Sequence, residues 1–145
     1  MFHQSVKEFE AFLLQKAEQD KKAKGKGNWL NLSKQYIVQK GRLKLYPYPE
    51  DFNSSALGDE SPPIVKHIFR HTTITNLYRW ILDGGVTGNH QILFVLHNYY
   101  KVVLVHYFDK QYNGDIKAQD ILPAEERYFE HCENDPSLYP IMKGE

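Results

Sequence analysis

Seven histidines and one cysteine carry most of the chemistry open to this chain. His67 and His71 are four apart, a spacing that sets two imidazoles on one helix face and occurs in zinc sites. The glutamate that zinc proteases hold beside the first histidine is replaced by Ile68, and no carboxylate or cysteine lies close by in sequence. A polar helix edge is the simpler reading, and no metal is assigned. A second set is His90, His106 and Asp109, with His131 as a further member if the fold brings it near. A His/Asp set of this kind would serve a hydrolase or a metal-dependent reaction. The simpler reading is a pair of strand-end histidines making ordinary hydrogen bonds.

His97 is excluded from that set by geometry. If the chain turns at Asn98-Tyr99, partners across the hairpin sum to 197, so His106 faces Gln91. His97 then shares a face with Leu93, Val95, Val102, Leu104 and His106. At roughly 3.3 Å per residue, the two histidines nevertheless stand about 20 Å apart.

Other motifs give less. Gly84-Gly85-Val86-Thr87-Gly88-Asn89 looks like a phosphate loop, but a phosphate cradle needs a strand before it and a helix after it. Here the expected order is reversed, so the glycines read as a helix stop and a connector. Glu125 and Glu126 are adjacent and diverge on a helix, and Ser33 has no nucleophile-elbow pattern. Cys132 follows His131 directly, and sequence neighbours seldom form a nucleophile–base pair. No catalytic residue and no cofactor is assigned.

The basic segment is the other candidate. Lys21, Lys22, Lys24, Lys26, Lys34, Lys40, Arg42 and Lys44 are interleaved with Trp29, Tyr36 and Tyr46. Lysines attract phosphates and aromatics stack on unpaired bases, so this stretch could hold nucleic acid. Residues 1–49 carry ten Lys/Arg against four Asp/Glu, a net of +6, and residues 50–145 carry eight against fourteen, a net of −6. The total is zero, which disfavours a protein devoted to coating nucleic acid. The two halves suit a basic face for one partner and an acidic face for another.

These residues need a scaffold. A chain of 145 residues is expected to form one domain, without disulfide or metal support. The lone cysteine favours a reducing, cytoplasmic setting, and the N-terminus lacks the apolar core of a secretory signal. No apolar run approaches the roughly 20 residues that a membrane helix needs. Val6, Phe9, Phe12, Leu13 and Ala17 recur at helical spacing over 3–20. A flexible cationic connector is expected at 21–28. Residues 29–46 read either as a hairpin, 35–39 with 42–46, or as a helix from Asn28 to Gly41 followed by one strand. Tyr36, Ile37 and Val38 favour the hairpin. A long loop covers 47–63, then two helices are expected. Ser61 and Pro62 start the first, with Ile64, Val65, Ile68 and Phe69, and the second runs from Thr73 to Gly84 with Ile74, Leu77, Tyr78 and Ile81. The apolar run 91–108 reads as a hairpin covered on both faces, and a last helix spans 123–131.

The expected fold is therefore α+β: a small antiparallel sheet with the 91–108 hairpin at its centre. An N-terminal helix, a mid-chain helix pair and a short C-terminal helix pack on it. The absence of a catalytic constellation, ten tyrosines and the charge asymmetry point to a non-enzymatic interaction domain, an adaptor or small subunit with a protein partner. Phe9, Phe12, Leu13, Trp29, Tyr46 and Tyr48 are its expected contact residues. Nucleic-acid binding through 21–46 is the alternative, and a histidine-based hydrolase the second.

Overall fold

Val6, Phe9, Leu13 and Ala17 form one buried stripe along helix α1 (Gln4–Lys24), as the helical spacing predicts. The computed structural model describes residues 3–56, 64–99 and 101–138. The first helix runs further than expected, because Lys21, Lys22 and Lys24 sit in its last turn, where cations meet the negative end of the helix dipole. Gly25, at φ 69°, closes it in the left-handed conformation. The flexible connector thus shrinks from 21–28 to Gly25, Lys26 and Gly27.

Residues 29–46 form no hairpin. They belong to helix α2 (Asn28–Leu45), which buries Leu32, Ser33, Tyr36, Gln39 and Leu43 on one face. Helical periodicity over eighteen residues outweighs the strand preference of Tyr36-Ile37-Val38. The start of α2 is capped from α1, because orphan N–H groups at a helix start need acceptors. The Asp20 carboxylate accepts from the backbone N–H of Trp29 at 3.0 Å and of Leu30 at 3.2 Å. A Cβ at Gly27 (φ 155°) would run into that carboxylate, which is why glycine stands there. Gly41 does not end the helix. It lies in its exposed interior with open space where a Cβ would go. Gly41→Ala is therefore expected to stabilise the chain by about 0.5–1 kcal/mol, read from urea unfolding midpoints.

The loop expected at 47–63 contains helix α3 (Pro49–Ala56), acidic in its first turn through Glu50 and Asp51. Asn53 pins the entry to the sheet. Its side chain accepts from the N–H groups of Ile64 (3.0 Å) and Val65 (3.2 Å) and donates to the Val65 carbonyl (3.0 Å). Among the described residues the mid-chain helix pair is absent. In its place stand strands β1 (Val65–His67) and β2 (Leu77–Asp83). The expected cap at Ser61 and Pro62 lies outside the described residues. The helical spacing of Ile74, Leu77, Tyr78 and Ile81 skipped Trp80 and Leu82, and both are fully buried. Their alternation is that of a strand.

Strands β3 (Asn89–His97) and β4 (Lys101–Asp109) form the expected hairpin. The sheet is antiparallel with order β1-β2-β3-β4, so the fold is α+β with a small sheet. β3 is buried from His90 to His97, sealed on both sides as its composition requires. Helices α1 and α2 cover one face, over Trp80, Leu82, Ile92, Phe94, Leu96 and Leu104. Helix α4 (Ala118–Asn134) covers the other, over Leu77, Leu93, Val95, Val103 and Val105. It starts before Pro123 and ends after His131, so it is longer than expected.

The hairpin register differs from the expected one. Leu96 pairs with Val102 and His97 with Lys101, so the turn is one residue longer. Asn98 (φ 48°) and Tyr99 (φ 80°) both take left-handed conformations to make it. This slip moves Val103 and Val105, rather than Val102 and Leu104, to the face of His97. An irregularity between Leu93 and Phe94 then pairs His106 with Leu93 instead of Gln91. Among the described residues, no helix is long and apolar enough to cross a membrane.

Candidate functional site

The six expected contact residues separate into three environments. Phe9 and Leu13 lie in the core, 4% and 0% exposed, so neither can meet a partner. Phe9 stacks on Tyr107 with ring centroids 4.0 Å apart. Trp29 and Tyr48 are half-buried. Trp29 meets the edge of Phe12, and the Tyr48 hydroxyl donates to the Tyr99 carbonyl at 2.6 Å. Phe12 and Tyr46 are exposed.

The basic residues are also sorted by the helices. Lys21, Lys22, Lys24, Lys26, Lys34 and Lys44 are exposed, and Lys22 pairs loosely with Glu18 at 3.6 Å. Lys40 turns inward to Glu10 at 2.8 Å, and the Tyr36 hydroxyl donates to the same carboxylate at 2.5 Å. Partial burial works to raise the Glu10 carboxyl, but these two hydrogen bonds outweigh it and hold the group below its ordinary value. Burial, with Glu10 beside it, pushes the Tyr36 phenol well up. Tyr36 is 1% exposed and stacked on Trp80. It has no free face for a base, which removes one of the stacking aromatics that a nucleic-acid reading needs.

His90, His106 and Asp109 do not converge. His90 and Asp109 are cross-strand partners, but His106 points to the opposite side of the sheet, towards Arg127 and His3. Both His90 nitrogens are occupied, by the Tyr107 hydroxyl at 2.7 Å and Thr87 Oγ1 at 3.2 Å. Its ring lies against Phe9 and Trp29, and burial lowers its pKa despite Asp109. Asp109 accepts from the Asn89 N–H at 3.0 Å. This is a structural network that ties the glycine loop, folded as a 3-10 turn (Gly85–Thr87), to the sheet. His67 sits on β1 with Nε2 2.7 Å from the Thr75 carbonyl, and His71 comes after it in a loop at φ 63°, so no helix face joins them.

Two features were missed in the sequence. The first is the outer face of α2. Lys34, Ile37, Val38, Gly41, Lys44 and Leu45 follow helical spacing and point away from the core. Ile37 and Val38 are each 58% exposed and Leu45 is 74% exposed. Phe12 and Leu14 on α1 are a little under half exposed. The charges of α2 are Lys34, Lys40, Arg42 and Lys44, with no acidic residue among them. A helix with apolar residues on both faces reads as one that is buried on both.

The second is a cluster at the turn end of the hairpin. His97, fully buried on β3, meets His131 and Asp135 from the end of α4. The histidine expected to stand alone is the one that gains partners, and His131 joins it rather than His90 and His106. The signal available in sequence was the four-residue spacing of His131 and Asp135. The cluster borders a cleft of about 490 Å³ between α4 and β4, which His3, Lys101, Arg127 and Glu130 also line.

No protein-family model, curated protein or solved structure matches the chain.

Proposed function

We propose that this chain is a non-enzymatic interaction domain, and that it docks the outer face of α2 onto an acidic surface of another protein. One observation carries this reading: Ile37, Val38 and Leu45 stand exposed on a helix whose charges are all positive. Their side chains are more than half exposed, so they add little to the fold of the isolated chain. Burying them against a partner removes apolar area from water, at about 25 cal/mol per Å². Lys34 and Lys44 flank the apolar residues and favour carboxylates on the other side. Gly41, between Val38 and Leu45, lets a facing backbone come close. Nucleic acid is less well served, because Tyr36 is buried and Trp29 is half-buried against Phe12 and His90.

The test is site-specific photocrosslinking in the cells that make the protein. A photoreactive residue at Val38 is expected to yield one discrete protein adduct. The same residue at Leu122, a comparably exposed position on α4, yields none. The double change Lys34→Glu and Lys44→Glu should abolish the adduct, and the captured protein should present acidic residues at the crosslinked site. Ile37→Ala with Leu45→Ala should weaken binding by about tenfold or more while the unfolding midpoint stays nearly constant. A nucleic-acid adduct, a self-adduct or no adduct at Val38 overturns the reading.

A further inference from the structure

We propose that His97, His131 and Asp135 form a binding site for one zinc ion, which clasps the β3–β4 turn to the end of α4. The Leu138 N–H donates to Asn98 Oδ1 at 2.8 Å, which fixes the orientation of the Asn98 amide. Asn98 Nδ2 then points at His97 Nε2 at 3.2 Å. Nε2 also faces the Asp135 carboxylate at 3.3 Å, and Asn98 Nδ2 donates as well to the Pro136 carbonyl at 3.3 Å. With an ion on Nε2 the ring proton would sit on Nδ1, which faces the Tyr128 hydroxyl at 2.7 Å. A histidine bound to metal through one nitrogen almost always donates the other N–H to an oxygen, and His97 is built that way.

Two of the three ligand spacings match the ion, and all three ligand atoms lie within 4.8 Å of one another. Asp135 Oδ2 lies 3.3 Å from His97 Nε2 and 3.2 Å from His131 Nε2. Tetrahedral zinc with bonds of about 2.0–2.1 Å sets neighbouring ligand atoms about 3.3 Å apart. Two imidazoles and one carboxylate suit zinc and not magnesium or calcium, which prefer oxygen. The Lys101 ammonium contacts Asp135 Oδ2, where the ion would sit. It is half-exposed on a flexible stem, so an arriving dication displaces it into water. Three protein ligands leave a fourth position for water from the adjoining cleft.

The chain, stripped with a chelator and titrated with Co2+ and then Zn2+, tests this. One equivalent of Co2+ should give the visible bands of a tetrahedral site, and Zn2+ should erase them. Zinc should raise the unfolding temperature. His131→Ala and Asp135→Asn should each weaken zinc binding by at least about tenfold, whereas His67→Ala leaves it unchanged. Lys101→Met removes the competing charge and should tighten it. Asp135→Asn keeps the shape of a half-exposed side chain, so the test holds even if His131→Ala folds poorly. Absent tetrahedral bands, or zinc binding indifferent to both His131→Ala and Asp135→Asn, overturn the assignment.

Discussion

Trp80→Ala is expected to lower the unfolding free energy by about 3–5 kcal/mol, measured by urea denaturation followed by circular dichroism. Trp80 is fully buried on β2 beneath α2. Its indole stacks on Tyr36 at 5.3 Å with the rings 10° from parallel. Its N–H donates to Gln39 Oε1 at 2.7 Å, and Gln39 is itself buried. Truncation opens a cavity between helix and sheet and leaves the Gln39 amide without its partner. For a domain whose whole stability is about 5–15 kcal/mol, that is a large share. Trp80→Phe retains most of the ring and loses the hydrogen bond, so about 1–3 kcal/mol is expected. Adding Gln39→Leu to Trp80→Phe should restore part of that, because both polar groups are then gone. An unchanged midpoint for Trp80→Ala would refute the packing of α2 on β2.

The same pair explains which parts of the fold could be read in advance. The 91–108 hairpin was legible because β-branched and aromatic residues fill both its faces, and few structures other than a sealed central strand pair bury such a run. Helix α1 was legible because its polar and apolar residues separate cleanly. Helix α2 was not. Ile37 and Val38 face solvent, so they blur the helical stripe and imitate a strand. Strand β2 was hidden for the converse reason: Leu77, Tyr78 and Ile81 happen to fall at helical spacing, and only the burial of Trp80 and Leu82 decides the matter. Residue types at the candidate sites were visible, their companions were not. The lysines of 21–44 could be counted, but the burial of Tyr36 follows from tertiary packing alone. His97 meets His131 only once α4 runs past His131 to reach the turn. The position of His106 depended on a hairpin one residue longer than assumed and on the irregularity beside Leu93.

Stability should fall as pH drops from about 6.5 to 4, and His106 should account for the widest part of that window. Its side chain packs on the α4 side of β4, with Nδ1 buried and without a hydrogen-bond partner among the described residues. Burial, aided by the positive charges of Arg127 and His3, pushes its pKa down to about 4, and Asp120 opposes them only partly. The unfolded chain binds this proton near pH 6.5, while the folded chain resists it until about pH 4. Between those values the unfolded state holds more protons, so stability rises with pH and is lost on acidification. Each such proton contributes at most about 1.4 kcal/mol per pH unit, and less for rings that water partly reaches. His3, His90 and His131 are all lowered, each with burial as the leading cause, and add in the same direction. Below that window Asp135 takes over. Its hydrogen bond from Lys101, opposed by partial burial and supported by His97, holds its carboxyl down to about 2. Its contribution is present above pH 3.8 and disappears as pH falls towards 2. Urea midpoints at pH 7, 5.5 and 4 measure the first slope. His106→Leu removes the orphaned nitrogen and should flatten the curve between pH 6.5 and 4. A wild-type midpoint that stays level from pH 7 to 4 would mean that these imidazoles take up protons as readily folded as unfolded, and that the α4 face of the sheet is open to water.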